Sequence, residues 1–475
     1  MSDKNPVRVL QFGEGVFLRG FMNWMIARMN EKTAFGASTC IIKPRPGELS
    51  PAFQNQNYRY TIVFKGIEDK KPFVRRETND TIARIIRPHE EFEAFLKEAD
   101  NPDLLCIVSN TTESGIVDLE SDKAADRPAS SFPGKLAQFL RRRYQTFNGA
   151  RDRGLVILPC ELIEDNAVVL KEIVLKHAQR WYGDAVFTGW IDASNWFLDT
   201  LVDRIVSGYS QEERVALEKD TGFDDGLLVV AEPYHLLAIK GPESLESVLP
   251  FRRAGLNVIW TGNITPYRML KLRLLNGNHT FMTLCGLGMG LGNVLDCLAS
   301  EPVRNAILAM NRLEVLPCMP LPPEASSQYF STVLDRFANP YLDHRLLSIA
   351  LNSVSKWKSR LLPSLLDYYA NTADVPTLIA FSLAALTCRY VTATDIQDEP
   401  SAVAFFKSVS GMAMTDPHAC ALEVVYNPVL FGNALKTVSG LADVLASQIA
   451  DIFNLGMEKA LLKATEAARA NEGGG

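Results

Sequence analysis

The stretch from residue 7 to residue 42 constrains the fold of this chain more than any other part of the sequence. An apolar run, VRVLQF, leads into the turn GEG, then into a segment with apolar residues at helical spacing, and finally into a second apolar run, STCIIK. The helical spacing is carried by Phe17, Phe21, Met25 and Met29. A strand, a helix and a second strand in this order form a βαβ unit, whose parallel strands need a right-handed crossover. The stretch therefore predicts the start of a dinucleotide-binding domain.

The rest of the chain predicts two domains. Strand-like alternation between residues 57 and 87 indicates an antiparallel excursion, after which strands and helices alternate up to about residue 260. In this part we interpret LLCIVSN, GLVILPC, VFTGWI and GLLVVAEPYHLLAI as strands, and residues 131–147 and 168–181 as helices. From about residue 265 helices follow one another, the last over residues 441–470. We expect an α/β Rossmann-type domain over residues 1–260 and a mainly α-helical domain over residues 261–475.

Composition excludes several classes of protein. Lys+Arg 49 against Asp+Glu 55, with a formal net charge of -6 and no basic block, gives no electrostatic source for nucleic-acid binding. The 8 cysteines form no CxxC pair, which is typical of reduced thiols. The N-terminus lacks a secretion pattern, and the longest apolar run, TLIAFSLAALTC, is shorter than the ~20 residues of a membrane span. We expect a cytoplasmic protein without a membrane or nucleic-acid partner.

The glycine turn is a candidate phosphate-binding site. Gly13-Glu14-Gly15 lies between a strand and a helix, where the backbone can approach a pyrophosphate at the helix N-terminus. The third glycine of GxGxxG is absent, because Leu18 occupies its position, and a purely structural turn stays an alternative. A second glycine series at residues 286–292 follows a helical segment, and we interpret it as helix packing or an irregular helix end.

The residues after the second strand leave the choice of cofactor open. NAD-preferring folds usually place an acidic residue there for the ribose 2′-hydroxyl, but this chain reads Ile42-Lys43-Pro44-Arg45. Lys43 and Arg45 could accommodate the 2′-phosphate of NADP. They could equally be two exposed basic residues of a surface loop.

Three polar residues of one helical segment form the strongest candidate for a catalytic group. With about 100° of rotation per residue, Asn276 and His279 lie about 140° and 80° around the helix from Lys271, so all three share one side. A lysine can act as a base, an amide can donate to a developing oxyanion, and a histidine can hold a substrate hydroxyl. A solvated lysine and a packed histidine are the alternative. The remaining histidines show no metal-ligand spacing; they are His89, His177, His235, His344 and His418.

Lys271, Asn276 and His279 match a Lys-x4-Asn-x2-His signature, through which the chain resembles the polyol-specific long-chain dehydrogenase/reductase family, the group of mannitol dehydrogenase. Further matching stretches are QFGEGVFLRGF, VSNTTESGI, PCELIEDN, TLVDRIVSGY, LLNGNHT and RFANPYLDHRLLSIALN. The resemblance implies a Rossmann-type domain, a helical domain, a nicotinamide cofactor without a metal, and a catalytic lysine on an interdomain helix. Because FLR follows the turn in place of Phe-His-Arg, the chain is most similar to the members that reduce tagaturonate.

The resemblance also implies roles for individual residues. Lys271 would be the general acid/base, and its pKa should lie below the ~10.4 of a free lysine if it accepts a proton near neutral pH. Asn276 and Asn166 would form the pair of oxyanion donors, and His279 would orient the substrate. Asp203 would lie in the active site near the lysine, and a structural salt bridge is the alternative role for Asp203 and also for Lys356.

Two further groups of residues complete the expected site. Lys356 occupies a region that contacts substrate in the family, and a substrate carboxylate needs a cationic partner, for which Lys356 and Arg360 are the candidates. The residues expected to bind the cofactor are Gly13, Glu14, Gly15, Phe17, Asn110, Thr111 and Thr112.

The implied activity is the reversible, NAD(H)-dependent and metal-independent reduction of D-tagaturonate to D-altronate. The same catalytic residues would serve reduction of fructuronate or oxidation of mannitol, so these substrates stay alternatives. A nucleotide-binding regulator that has lost catalysis is an alternative of another class, against which the intact Lys271, Asn276 and His279 argue. The family resemblance suggests a monomer or a weak homo-oligomer.

Overall fold

The computed structural model describes residues 5–68, 70–112 and 114–471 of the chain. Two compact units divide it: the first comprises the chain up to residue 65 and residues 73–264, and the second comprises residues 66–72 and the chain from residue 265. The expected class of fold, a Rossmann-type α/β part followed by a mainly helical part, is confirmed.

The strands of the described chain form three sheets. They are β1 Val7–Phe12, β2 Ser38–Ile42, β3 Tyr60–Glu68, β4 Lys71–Asn79, β5 Ile82–Ile86, β6 Cys106–Ser109, β7 Val156–Pro159, β8 Trp196–Phe197, β9 Thr200–Asp203, β10 Val206–Ser207, β11 Val229–Ala231, β12 Leu236–Lys240 and β13 Val258–Thr261. The largest sheet has the order β5-β2-β1-β6-β7-β8, and all of its neighbouring strands are parallel. Counted along this sheet alone, the order is 3-2-1-4-5-6, the doubly wound order of dinucleotide-binding folds.

The apolar runs of the sequence form this sheet because both of its faces are covered. Successive residues of a strand point to opposite faces, and the core follows that rule. Val9 packs into one apolar cluster, while its neighbour Leu10 packs into another. Val108 and Ile107 of β6 divide between the same two clusters. A parallel sheet buried in this way produces continuous apolar runs in place of alternation.

Two smaller sheets accompany the large one, and the expected excursion over residues 57–87 supplies only β3 and β4 of the first of them, while β5 joins the large sheet. The first has the order β10-β11-β3-β4, and the second has the order β13-β12-β9, in which β12 is antiparallel to β9. The helices of this part of the chain are α1 Val16–Gly20, α2 Met22–Lys32, α3 Ala52–Asn55, α4 Phe92–Lys97, α5 Phe132–Thr146, α6 Asn166–Tyr182, α7 Ala185–Ser194 and α8 Gln211–Thr221, with 3-10 turns at Glu98–Asp100, Arg151–Arg153 and Glu243–Ser247.

One strand prediction is wrong. VFTGWI lies in helix α7, whose N-terminus is capped by Asp184: its carboxylate accepts hydrogen bonds from the N–H groups of Val186 and Phe187, both at 3.1 Å. The capping aspartate is the sequence signal that distinguishes this helix from a strand. The first predicted helix is also divided, because the backbone departs from helical geometry at Phe21 between α1 and α2.

Helices dominate the second unit from residue 265 onward. They are α9 Thr265–Met269, α10 Asn278–Gly288, α11 Val294–Ala299, α12 Glu301–Met310, α13 Pro323–Phe337, α14 Leu346–Ile349, α15 Ser353–Arg360, α16 Leu362–Thr372, α17 Thr377–Thr392, α18 Pro400–Ser408, α19 Ser410–Thr415, α20 Pro417–Tyr426, α21 Pro428–Phe431, α22 Leu441–Leu455 and α23 Met457–Asn471. Two segments are π-helical, π1 Leu270–Gly277 and π2 Asn311–Val315, and 3-10 turns lie at Leu316–Cys318 and Leu435–Thr437.

Two expectations about the helical part have clear outcomes. The last helix is not continuous, because Gly456 divides it into α22 and α23. The first two glycines of the second series lie at close helix contacts, as expected: a Cβ at Gly286 would lie 2.6 Å from Sγ of Cys297, and one at Gly288 would lie 2.5 Å from Cε of Met457. Among the described residues, no helix combines the length and the apolar character that crossing a bilayer requires.

Candidate active site

The glycine turn lies at the carboxyl end of β1, next to the segment that follows β6. Gly13 has a φ of 117°, and a Cβ there would lie 3.0 Å from the carbonyl oxygen of Asn110, so only glycine fits this position. A Cβ at Gly15 would contact nothing within 4 Å. The strand order reverses between β1 and β6, and ligands of such sheets bind in the crevice at that point. The open space at Gly15 therefore fits the approach of a dinucleotide pyrophosphate.

Two polar side chains fix this turn from the protein side. Gln11 donates from Nε2 to the carbonyl oxygen of Gly13 at 2.8 Å, and Arg19 donates from Nε to that of Glu14 at 3.2 Å. Arg19 is buried, with its guanidinium over the rings of Phe53 and Tyr60. Within the described chain, the N–H groups of Glu14 and Gly15 donate no hydrogen bond, so they can receive an anion. Phe17 stacks on Phe21 with ring centroids 5.1 Å apart and supports the turn from the core side.

A buried carboxylate that the sequence interpretation missed orders the segment after β6. Glu161 accepts hydrogen bonds at Oε1 from the N–H and the hydroxyl of Thr111, both at 2.9 Å, and at Oε2 from the hydroxyl of Ser109 at 3.0 Å. Burial raises the pKa of Glu161. Asn110 donates from Nδ2 to the carbonyl oxygen of Cys160 at 2.7 Å. Thr112 has a φ of 80° and is exposed. The side chain of Glu161 thus holds the expected nicotinamide side of the cofactor site.

The two basic residues after β2 differ in their surroundings. Lys43 donates from Nζ to the carbonyl oxygens of Arg45 at 2.9 Å and Pro46 at 3.3 Å, and Nζ lies 3.8 Å from the carboxylate of Glu14. The ammonium group of Lys43 therefore stabilises the loop that follows it in the sequence. Arg45 is exposed and donates from Nη2 to the hydroxyl of Thr112 at 3.3 Å.

Asn166 and Asp203 are both buried in the first unit. Asn166 begins α6, and its Nδ2 donates to the carbonyl oxygens of Pro159 at 3.0 Å and Glu161 at 3.1 Å, while its Oδ1 accepts from the N–H of Thr200 at 3.1 Å. The amide therefore joins the ends of β7 and β9. Asp203 is the last residue of β9 and pairs with Leu236 of β12.

Lys271 and Asn276 lie on π1, so the assumption of α-helical rotation between them is wrong. In a π-helix the hydrogen bonds run from residue i to i+5, which widens the turn and places residue i+5 close to the line of residue i along the axis. Asn276 follows Lys271 by five residues and is therefore nearer to it around the helix than the α-helical estimate of about 140°. Both residues are half-buried. No side chain of the second unit hydrogen-bonds the amide of Asn276 among the described residues.

His279 on α10 is the centre of a cluster of rings and cations. Its ring lies 4.5 Å from that of Phe337 and 4.8 Å from that of His344, measured between centroids. Burial lowers the pKa of His279 well below its usual range, and the charges of His344, Arg360, Arg336 and Lys356 act in the same direction. His279 is therefore neutral and can accept or donate a hydrogen bond. His344, which showed no metal-ligand spacing in the sequence, is a functional candidate that only the fold reveals.

Helix α15 supplies the two cations expected to bind substrate. Arg360 donates from Nη1 to the hydroxyl of Thr280 at 3.2 Å, and Lys356 donates from Nζ to the carbonyl oxygen of Ile349 at 2.8 Å. Burial lowers the pKa of Lys356, and the neighbouring charge of Arg360 lowers it further. Trp357 holds the helix in the core, because its Nε1 donates to the hydroxyl of Ser382 at 2.8 Å.

The structure thus brings the predicted site residues together in two groups, one in each unit. In the first, the glycine turn adjoins Asn110. Glu161 accepts a hydrogen bond from Thr111 at its carboxylate and another from Asn166 at its main-chain carbonyl oxygen. In the second, Asn276 and His279 lie beside the cations of α15. Among the described residues, no three His, Cys, Asp or Glu side chains are grouped closely enough to hold a metal ion.

Comparison with known proteins places both units in one family. The Rossmann domain of mannitol dehydrogenase matches residues 7–251, and the mannitol dehydrogenase C-terminal domain matches residues 263–443. The altronate oxidoreductase of Bacillus subtilis (strain 168) is 40% identical over 456 residues, which cover 96% of this chain and 95% of that protein. That of Yersinia enterocolitica is 35% identical over 466 residues, covering 96% of each chain.

Solved structures share the fold over nearly the whole chain. D-sorbitol dehydrogenase in substrate-free form superposes with a TM-score of 0.82 at 20% identity, covering 97% of this chain and 96% of that one. Mannitol 2-dehydrogenase of Pseudomonas fluorescens, in a ternary complex with NAD and D-mannitol, superposes with a TM-score of 0.69 at 20% identity, covering 98% and 95%. From the matches to both domains and the identity to relatives over most of its length, this chain belongs to the mannitol dehydrogenase family.

Proposed function

We propose that the chain is an NAD(H)-dependent altronate oxidoreductase, which interconverts D-tagaturonate and D-altronate. The observation that carries the choice of substrate is the cationic flank of His279, formed by Lys356 and Arg360 on α15 with Arg336 nearby. A hexuronate has a carboxylate that these cations can bind, whereas a neutral ketose has no carboxylate. The relatives named altronate oxidoreductase, 35% to 42% identical, support the same substrate.

The proposed chemistry needs few protein groups. When bound, NADH supplies the hydride that reduces the keto carbon. Negative charge then grows on the carbonyl oxygen, and Lys271 as an ammonium gives that oxygen its proton, while Asn276 donates a hydrogen bond to it. In the direction of oxidation, neutral Lys271 takes the proton from the substrate hydroxyl. The half-buried amide of Asn276 suits this role, because no side chain of the second unit competes for it among the described residues.

Asn166 stays the proposed second oxyanion donor. Its Nδ2 lies within hydrogen-bond distance of three main-chain carbonyl groups, those of Pro159, Glu161 and Thr200, so this role requires one of those hydrogen bonds to be exchanged for one to the substrate. Asp203, buried at the end of β9, is still proposed to lie in the active site near Lys271.

The cofactor site is proposed to consist of the glycine turn and the segment after β6. The N–H groups at Glu14 and Gly15 would bind the pyrophosphate, and Asn110, Thr111 and Thr112 would line the nicotinamide ribose. Because Lys43 donates into its own loop, only the exposed Arg45 is placed to meet a 2′-phosphate. We therefore propose NAD(H) as the main cofactor, and NADP(H) as a slower alternative through Arg45.

In the proposed substrate site, different residues bind the carboxylate and the hydroxyl groups of the sugar acid. Arg360 and Lys356 would bind the carboxylate. His279 would orient a hydroxyl group, and His344 would hold another, because burial lowers the pKa of His344 and leaves its ring neutral. A neutral imidazole has both a donor and an acceptor nitrogen, as a polyhydroxylated chain requires.

The test is the decay of NADH absorbance with purified protein and D-tagaturonate, repeated with D-fructuronate, with D-fructose and with NADPH. We expect fast consumption of NADH with D-tagaturonate. Equal or faster reduction of D-fructose would contradict the assignment of a uronate, and binding of NADH without turnover of any of these would favour a regulator. Sedimentation of the same preparation tests the further proposal of a monomer or a weak homo-oligomer.

A further inference from the structure

Two asparagines join the two π-helical turns of the second unit. Asn278 is the first residue of α10, directly after π1, and Asn311 is the first residue of π2, directly after α12. Asn278 donates from Nδ2 to Oδ1 of Asn311 at 3.0 Å, and Asn311 donates from Nδ2 to Oδ1 of Asn278 at 2.7 Å. Both side chains are 0% exposed. The contact is a reciprocal amide pair in the interior of the unit.

Each amide uses its second hydrogen on its own helix. Asn278 donates to the carbonyl oxygen of Leu274 at 2.6 Å, and Asn311 donates to that of Ile307 at 2.7 Å. Both acceptors lie four residues before the asparagine. Where a helix changes between i→i+4 and i→i+5 bonding, main-chain carbonyl groups lose their regular donor. The two side-chain amides supply donors at these junctions.

The pair contributes to register more than to stability. Asparagine is a poor helix former, and a buried amide pair gains little over two apolar side chains of the same shape, because both amides give up hydrogen bonds to water. A shift of either helix, however, would leave two buried amides unsatisfied. Buried polar pairs are known to fix the register of packed helices in this way.

The partner segment π2 is itself anchored. Glu314 of π2 accepts hydrogen bonds from the N–H groups of Leu378 at 2.7 Å and Ile379 at 2.9 Å, at the N-terminus of α17. Asn311 is therefore a fixed point, and the end of π1 is held against it. Asn278 lies between Asn276 and His279 in sequence, so its position decides where the wide turn ends.

We propose that Asn278 and Asn311 are positioning residues for the reaction: their pair fixes the end of π1, and with it the angle at which Asn276 and His279 are presented beside Lys271. The inference rests on the proposed roles of these three residues. Both asparagines are fully buried, so they act through the helix and do not touch the substrate.

The test uses a double variant, N278L/N311L, in the full-length protein. Replacing both amides by apolar side chains of similar volume removes both members of the pair together, but the carbonyl groups of Leu274 and Ile307 lose these donors. We therefore expect a protein that folds with a lower free energy of unfolding than the wild type. We expect kcat for D-tagaturonate to fall by at least 10-fold, and on the order of 10²-fold if the groups move by about 1 Å. The affinity for NADH, measured by fluorescence titration, should not change.

A matched control removes a buried amide contact elsewhere in the same unit. Gln448 is 7% exposed and donates from Nε2 to the carbonyl oxygen of Thr377 at 2.8 Å. Gln448→Met should lower the melting temperature and leave kcat unchanged. A stable N278L/N311L protein with native kcat would overturn the proposal, because the pair would then be structural only.

A second variant covers the case in which the leucine pair does not fold. N278S/N311S removes the reciprocal contact, while serine can still bond the carbonyl group four residues earlier. Its kcat per NADH-binding molecule decides the question in the same way, a lowered value supporting the proposal and a native value overturning it. Wild-type protein inactive on D-tagaturonate would contradict the proposed substrate instead, and the variants would then be compared on whichever ketose the wild type reduces.

Discussion

Arg360 of α15 donates a hydrogen bond from Nη1 to the hydroxyl of Thr280, the residue directly after His279, at 3.2 Å. Thr280 in turn donates to the main-chain oxygen of Asn276 at 3.1 Å. A cation is thereby fixed relative to the proposed oxyanion donor. If Arg360 binds the substrate carboxylate and Asn276 the keto group, as proposed, the protein sets the distance between these two groups, and we expect a preference for sugar acids of one length.

Replacing Arg360 by methionine tests this arrangement. A hydrogen bond to a charged group contributes about 1.5–3 kcal/mol, so kcat/KM for D-tagaturonate should fall about 10- to 100-fold, whereas reduction of D-fructose should change little. Lys358→Met is the matched control, because Lys358 is exposed on the same helix. An equal loss on both substrates would show that Arg360 does not recognise the carboxylate.

Lys271→Met should abolish most of the turnover. General acid–base catalysis contributes about 10²–10⁴-fold, so kcat should fall by that factor while the Kd of NADH stays within about twofold. In the wild type, the rate of D-altronate oxidation should rise with pH until the lysine is neutral, and the variant should lack this rise. Lys407→Met on α18 serves as the control. A near-native rate of the Lys271 variant would assign the proton transfer to another residue.

Asn166→Ala separates an oxyanion donor from a structural amide. Loss of its contacts to Pro159 and Glu161 should lower the free energy of unfolding by about 1–3 kcal/mol in either case. If the amide also donates to the oxyanion, kcat should fall about 10²-fold as well. Asn195→Ala is the comparison, since Asn195 is also buried in the same unit and accepts from the N–H of Leu155 at 3.0 Å. Equal kcat values for both variants would leave Asn166 a structural role only.

The two glycines of the turn should respond differently to alanine. Gly15→Ala should fold with an unchanged melting temperature, because its Cβ meets nothing within 4 Å, but should raise the Kd of NADH at least about 10-fold by filling the pyrophosphate space. Gly13→Ala should destabilise the protein by about 1–2 kcal/mol or more, because φ is 117° there. Gly411→Ala, at another open position, is the control. Native NADH affinity in Gly15→Ala would place the pyrophosphate elsewhere.

His235 should make the stability depend on pH. Burial lowers its pKa from 6.5 to about 3, and its Nε2 accepts a hydrogen bond from the N–H of Asn257 at 2.9 Å. Below pH 6.5 this histidine binds a proton in the unfolded chain, whereas it stays neutral in the folded protein. The free energy of unfolding should therefore fall by at most about 1.4 kcal/mol per pH unit between pH 6.5 and 3, and be unaffected by this group above pH 6.5.

Urea unfolding at pH 7, 6 and 5 measures this dependence. In His235→Gln the slope of the free energy of unfolding against pH should become smaller, by up to the contribution of one bound proton. Glutamine can accept the same hydrogen bond without titrating. An unaltered slope in His235→Gln would show that this histidine is protonated in the folded protein.

Local patterns were sufficient for much of the fold. The apolar runs VRVLQF and STCIIK predicted β1 and β2, because a parallel sheet buried on both faces needs continuous apolar strands. The run VFTGWI failed because a short apolar segment does not distinguish a strand from a helix by its period. There the cap at Asp184 decided in favour of α7.

By itself, the sequence determined what depends on neighbours along the chain: the glycine turn between a strand and a helix, the change from α/β to helical character, and the spacing of Lys271, Asn276 and His279. Only the tertiary structure decided what these residues meet. The contact of Arg360 with Thr280 spans 80 residues of sequence, that of Thr111 with Glu161 spans 50, and that of Asn278 with Asn311 spans 33. The wide turn of π1 belongs to the same class of feature. Its hydrogen bonds are local, but the energy that holds it comes from packing against segments that are distant in sequence.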